Sequence, residues 1–171
     1  MEKAVEQLRT SIDMLLMKEL PLPALILIYS MIDVLGWLNR SATKESSDRH
    51  DFMAWVDTFM LPTSGLGATA EDLYAARCAI VHSHSYESSL SRAGKARKVY
   101  YTYGRADHRA LEQLVSARPT TEVAVKIEVL TAAFDEAFSK FEGALAADPG
   151  HAKLVSERAE QKFFAFVPTP Q

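Results

Sequence analysis

Residues 71–86 read Glu-Asp-Leu-Tyr-Ala-Ala-Arg-Cys-Ala-Ile-Val-His-Ser-His-Ser-Tyr, and the rest of the chain is organised around them. Thr69, just ahead, is placed to cap a helix, with Asp72 three residues on as the reciprocal partner of a capping box. The leucine, alanine and isoleucine that follow sustain that helix and make it apolar enough to be buried. Inside it stand Arg77 and, five residues later, His82, with His84 beyond. A guanidinium is always charged, so an apolar setting demands a partner for it. An arginine holds a phosphate with a fork of donors, and a histidine moves a proton near neutral pH; together they are the minimum equipment for cleaving a phosphodiester.

Helix geometry bears on which histidine acts. At about 100° per residue, Arg77 and His82 stand about 140° apart on an α-helix, and Arg77 and His84 about 20°. Ser83, Ser85, Ser88, Ser89 and Ser91 compete for backbone hydrogen bonds, so the helix is expected to fray near His82 and free it to turn toward Arg77. His82 therefore ranks ahead of His84. The plain alternative for each is a histidine that favours a helix C-terminus through the dipole alone.

Arg77-Cys78-Ala79-Ile80-Val81-His82 fits the Arg-x4-6-His signature of the HEPN superfamily, and the chain resembles that family from about residue 1 to about residue 147. The resemblance implies an all-α bundle of about six to seven helices, often dimeric, and in many members a metal-independent endoribonuclease of toxin or antiviral defence systems. It implies Arg77, His82 and His84 as the catalytic group, RNA as substrate, a homodimer, and an antitoxin or defence-system subunit as a further partner. It implies no metal and no cofactor. The rival reading is a non-catalytic module of the same fold that binds RNA or protein; Cys78 speaks for it, because many active members carry Asn, Asp or His directly after the arginine.

Upstream, Val5, Leu8, Ile12, Leu15 and Leu16 recur at spacings of three and four and predict an amphipathic helix over residues 2–18. Pro21 and Pro23 break the chain, and a second helix then runs to about Leu38, apolar almost all round. Tyr29, Asp33 and Trp37 share one face of it, which leaves Asp33 needing a partner. That partner is either a hydroxyl or backbone amide, or else Arg77 or a histidine that Asp33 orients. A polar connection, 39–50, leads to a short helix with Phe52, Val56 and Phe59, expected over residues 51–60 and stopped by Pro62.

Downstream, residues 85–104 form an irregular basic, tyrosine-rich insertion after the Arg/His helix. Its first half is loop-like; Val99 to Tyr103 has β preference and suits a short strand or an extended arm. Between Tyr86 and Arg109 six basic side chains face two acidic ones, net +4, which leaves −7 on the rest of a chain whose total is −3. Arg92, Lys95, Arg97 and Lys98 beside Tyr101 suit single-stranded RNA, since bases stack on rings while cations track phosphates. Alternatively the loop is solvated and its tyrosines pack on the bundle with wet hydroxyls. From Asp107 a helix is expected with Leu111, Leu114 and Val115 inward, then one capped by Thr121. Ile127, Leu130, Phe134, Phe138, Phe141 and Leu145 make the longest apolar stripe, a core or dimer surface. A last helix from about His151 leads to a tail with Phe163, Phe164 and Phe166.

The length of 171 residues suits one domain, 1–171. The one cysteine excludes an internal disulfide and a cysteine-based zinc site. The longest uncharged apolar run, Leu20 to Ile32, is shorter than the roughly 20 residues of a membrane span, and no cleavable leader pattern opens the chain. A cytoplasmic protein without membrane association is expected. No Gly-x-Gly-x-x-Gly, Walker loop, His-Glu-x-x-His or Gly-x-Ser-x-Gly occurs, so the nucleotide-phosphate, zinc-hydrolase and serine-hydrolase readings lack support.

Overall fold

A computed structural model describes residues 2–82 and 87–162 of the chain. Within them the fold is mostly helical, with one two-stranded parallel sheet. Helix α1 (Glu2–Met17) buries Val5 and Ile12 and rests Leu8, Leu15 and Leu16 on the core, the stripe its periodicity predicts. Helix α2 (Pro21–Asn39) begins on a proline, whose fixed φ suits the first helical position and whose missing N–H needs no partner there. Ala24, Leu25, Ile28, Ile32, Leu35 and Leu38 of α2 are buried, so this is the central helix around which the others pack. It is also the one helix among the described residues long and apolar enough to cross a membrane, and half of it lies inside the fold, as a core helix does.

Helix α3 (Arg49–Trp55) approaches α2 so closely at Gly36 that a Cβ built there would stand 2.8 Å from the Asp51 carbonyl oxygen. The helix was expected to stop at Pro62. Instead it widens into a π-helical turn, Val56–Met60, and continues as α4 (Leu61–Ser64). In an α-helix the Pro62 ring would collide with the carbonyl four residues back; the wider turn, closed by Leu61 N–H on the Val56 oxygen, relieves that collision. Gly65, at φ 63°, then ends the helix in the left-handed conformation that glycine adopts without penalty.

After α5 (Ala70–Arg77) and a second π-helical turn (Cys78–His82) come the short α6 (Ser89–Arg92), strand β1 (Lys98–Thr102), α7 (His108–Ser116) and strand β2 (Glu122–Lys126). The strands pair in parallel, Lys98 opposite Glu122 and Thr102 opposite Lys126. The mostly helical chain thus carries a strand where Val99 to Tyr103 suited one, and β2 is the departure from an all-α reading. Residues 122–126 were expected to open a helix capped by Thr121, but Glu-Val-Ala-Val-Lys alternates with period two, and its valines are the buried residues. Leu114, expected inward on α7, is exposed; Val115 is the residue α7 buries.

Helix α8 (Ile127–Ala147) puts its phenylalanine stripe in the core. Trp55 meets Phe134 and Phe141, each with ring centroids 6.3 Å away, and Phe59 meets Phe141 at 5.3 Å. Burial of each such ring is worth about 1.5–3 kcal/mol, so the contact of α3 and its π-helical turn with α8 is a strong source of cohesion. Helix α9 (Pro149–Lys162) carries Arg158, 6% exposed, which donates to the carbonyls of Leu38 at 2.8 Å, Arg40 at 2.6 Å and Ser41 at 3.0 Å. A buried cation there satisfies the orphan carbonyls at the end of α2 and suits its dipole. The phenylalanine-rich tail lies outside the described residues.

Candidate active site

The capping box at the start of α5 forms as its spacing predicts. The Asp72 amide donates to Thr69 Oγ1 at 3.2 Å, and the Thr69 amide to Asp72 Oδ2 at 2.9 Å. This fixes where α5 begins and hence where Arg77, at its last residue, is presented. Arg77 meets Asp33 of α2: Nε donates to Oδ2 at 2.5 Å, and Nη2 forms an ion pair with the same oxygen. Arg77 is thus one of the partners that Asp33 was expected to need. Burial works against the charge on Arg77, but the hydrogen bond to Asp33, the charge of Asp33 and the neighbouring Cys78 together outweigh it and raise its pKa, so the guanidinium stays charged at any working pH.

Arg77 Nη1 lies 4.0 Å from Cys78 Sγ, and its Cζ stands 6.0 Å from the centre of the Tyr74 ring. The Tyr74 ring is itself held edge-on by Phe52 at 5.4 Å, and burial followed by the Cys78 thiol pushes its hydroxyl pKa up. Arg77 therefore has little freedom to reorient. Its side chain is 17% exposed and lines an open cleft of about 290 Å³ together with Asp33, Val34, Trp37, Ser47, Asp48, Arg49 and Tyr74.

The π-helical turn changes the expected geometry. In a π-helix the hydrogen bond runs from residue i to i+5, so positions five apart are one turn apart. Arg77 and His82 are five apart, and Cys78–His82 is π-helical. The backbone therefore brings position 82 back over position 77, in place of the 140° offset expected of an α-helix; the fraying expected beyond His82 falls on residues outside those described. Single π turns of this kind are frequent at functional sites. His84 lies outside the described residues.

The basic, tyrosine-rich insertion divides into two sets of residues. Arg97 is an internal anchor: its backbone amide donates to Asp72 Oδ1 at 2.7 Å, its Nε to Asp72 Oδ2 at 2.9 Å, and its Nη2 to Asp72 Oδ2 at 2.6 Å and to the Gly67 carbonyl at 2.7 Å. Lys98 pairs with Glu87 at 3.2 Å. The Tyr101 hydroxyl is bonded to that of Tyr29, and burial raises the pKa of both. Arg97 and Tyr101, expected at an RNA surface, are instead spent on the fold, because both reach back from β1 and its approach to groups on the bundle. Arg92 and Lys95 are exposed, and Lys95 lines a second cleft, of about 190 Å³, with Arg49, His50, Met53, Glu71, Tyr74 and Leu90.

Arg49, Tyr74 and Trp37 line the cleft beside Arg77 and were not among the residues that the motif singled out. Arg49 carried one readable signal: it sits in the first turn of a helix, where a cation opposes the dipole. Comparison with family models, with curated proteins and with solved structures finds no match to this chain.

Proposed function

We propose that the protein is a HEPN-like, metal-independent endoribonuclease of the cytoplasm, acting as a homodimer in a toxin or defence role. The observation that carries the reading is Arg77, fixed by Asp33 at the wall of an open polar cleft and one π turn below position 82. In the mechanism, the ribose 2′-hydroxyl attacks the adjacent phosphorus while His82 handles a proton. Arg77 stabilises the extra negative charge of the phosphorane. The bond from phosphorus to the 5′-oxygen breaks, and the products are a 2′,3′-cyclic phosphate and a 5′-hydroxyl. Two copies meeting about a two-fold axis would gather two arginines and two histidines around one phosphate.

The test is cleavage of single-stranded RNA by the purified protein in excess EDTA, beside Arg77→Ala and His82→Ala variants with unchanged circular dichroism. Loss of cleavage in both, with a cyclic phosphate on the parent's product, is the expected result. Cleavage that survives both substitutions would sink the reading. A binding module without catalysis is the second reading, favoured by Cys78 beside Arg77 and by the close Asp33 pair, which a phosphate must share; binding of RNA without cleavage would select it.

A further inference from the structure

The cleft that holds Arg77 and the cleft that holds Lys95 share two lining residues, Arg49 and Tyr74. The two are therefore neighbouring lobes of one groove, with Tyr74 and Arg49 as the saddle between them. Arg77 stands at one end and Lys95 at the other.

The charges along this groove are not equivalent. Asp33 is matched by Arg77. Asp48 is matched by Lys44 at 2.9 Å and accepts the His50 amide at 2.7 Å, as a helix cap. Asp51, the next carboxylate of α3, accepts from Lys44 at 2.8 Å, from Ser47 at 2.9 Å and from the Asp48 amide at 2.9 Å. Glu71 is the one carboxylate left in the Lys95 lobe. Among the described residues neither Arg49 nor Lys95 forms an ion pair, and both are exposed. Arg49 moreover occupies the first helical position of α3, where the dipole disfavours a cation, and its guanidinium makes no hydrogen bond there. A local preference broken without structural gain is the mark of a residue kept for function.

Between Arg77 and Lys95, beside Arg49, stands the ring of Tyr74, which Phe52 meets edge-on at 5.4 Å. Alternation of cation, ring and cation along an open groove is the arrangement that holds a single strand: phosphates sit on the cations and an unpaired base stacks on the ring. Resting on the ribonuclease reading above, we propose that Arg49, Tyr74 and Lys95 bind the RNA flanking the phosphate held at Arg77. Tyr74 stacks a base next to that phosphate, and Arg49 and Lys95 neutralise the phosphates that follow. The basic surface for RNA is thus contributed jointly by α3 and the loop after α6, not by the 92–98 segment alone.

The experiment uses the full chain carrying Arg77→Ala, so that RNA is bound without being cut, and fluorescence anisotropy of a fluorescein-labelled oligouridine across a salt series. Adding Arg49→Ala and Lys95→Ala together should weaken binding at least tenfold at low salt and lower the log–log salt slope by about 1.4, since each single-strand phosphate contact contributes about 0.7. Tyr74→Leu should weaken binding about tenfold, the scale of a lost base stack, with the slope unchanged. Lys153→Ala, an exposed cation on α9, should change neither quantity. Arg49 and Lys95 are surface residues and their removal should leave thermal melting unchanged; Lys95→Glu offers a second, stronger probe of the same lobe.

Parent-like affinity and slope in the double variant would overturn the groove, as would failure of the Arg77→Ala protein to bind any RNA. Competition by polyglutamate as effective as by oligouridine would overturn the assignment to RNA in favour of an acidic protein partner. Cleavage that depends on Arg77 and His82 beside unaltered binding in the groove variants would remove this proposal and leave the catalytic one. Binding that follows Arg49 and Lys95 in a protein that cuts no RNA would do the reverse.

Discussion

Asp33 of α2 and Arg77 of α5 meet across 44 residues of sequence, with Nε of the arginine 2.5 Å from a carboxylate oxygen. The pair fixes the guanidinium against a helix that is itself the centre of the core, so its position is set by packing and not by a loop. Asp33→Asn keeps the shape and removes the charge. Because hydrogen bonds to charged groups contribute about 1.5–3 kcal/mol, a destabilisation of about that size is expected in urea melts. Cleavage by the folded variant should fall about a hundredfold, the cost of a reacting group displaced by an ångström. Single-turnover rates unchanged within a factor of two would show that Asp33 serves the fold alone.

Much of this framework could be read from the residues. The proline start of α2, the reciprocal Thr69 and Asp72 cap and the phenylalanine stripe of α8 are local signals, each carried by residues within a few positions of one another. The pairing of β1 with β2 was not readable in the same way. A parallel pair depends on a partner two dozen residues away, and the Thr121 cap signal competed with a five-residue alternation too short to prevail. The π turn at Cys78–His82 escaped for another reason: no residue in it breaks an α-helix, so nothing in the local sequence announces the change of winding. Arg97 looked like a ligand-binding cation because its partner, Asp72, appeared fully employed as a cap.

That double duty of Asp72 yields a prediction about the basic insertion. Arg97→Ala would leave a carboxylate that is 3% exposed with only backbone donors. Breaking a buried pair from one side costs about 3–5 kcal/mol, and the two amides that remain on Asp72 place the expected loss near the lower end, about 3 kcal/mol. Urea unfolding followed by tryptophan fluorescence measures it. A variant as stable as the parent would return Arg97 to the pool of surface cations.

Acid should loosen the start of α3 only below about pH 4. Burial opposes ionisation of Asp51, but the bonds from Lys44, the Asp48 amide and Ser47 outweigh it and hold its pKa below the ordinary carboxylate value; a bond from Lys44 does the same for Asp48. A carboxylate with a depressed folded pKa contributes stability that is complete above its unfolded pKa, near 4, and is lost as pH falls through the folded value. Asp51→Asn should lower the melting temperature by about 2–4 °C at pH 7, the scale of a lost cap in a chain of this size. It should also flatten the melting curve's dependence on pH below about 4. An acid limb as steep as the parent's would place the sensitive carboxylates elsewhere.

Gly36 sets two opposed effects against each other. In the interior of α2, alanine is favoured over glycine by about 0.5–1 kcal/mol because it restricts the unfolded chain, so an exposed site would gain from Gly36→Ala. Here the added methyl carbon would stand 2.8 Å from the Asp51 carbonyl oxygen, 3.0 Å from its carbonyl carbon and 3.1 Å from Phe52 Cα. All three are backbone atoms, so no side chain can swing aside; α3 itself must move. Overpacking of this kind costs about 1–3 kcal/mol, which exceeds the propensity gain, and the expected net effect is destabilisation by about 1–2 kcal/mol. The shift of α3 also moves Arg49 and Phe52, the neighbours of Tyr74, so RNA affinity should fall together with stability. A Gly36→Ala protein more stable than its parent in urea would mean that α2 and α3 do not touch at this point.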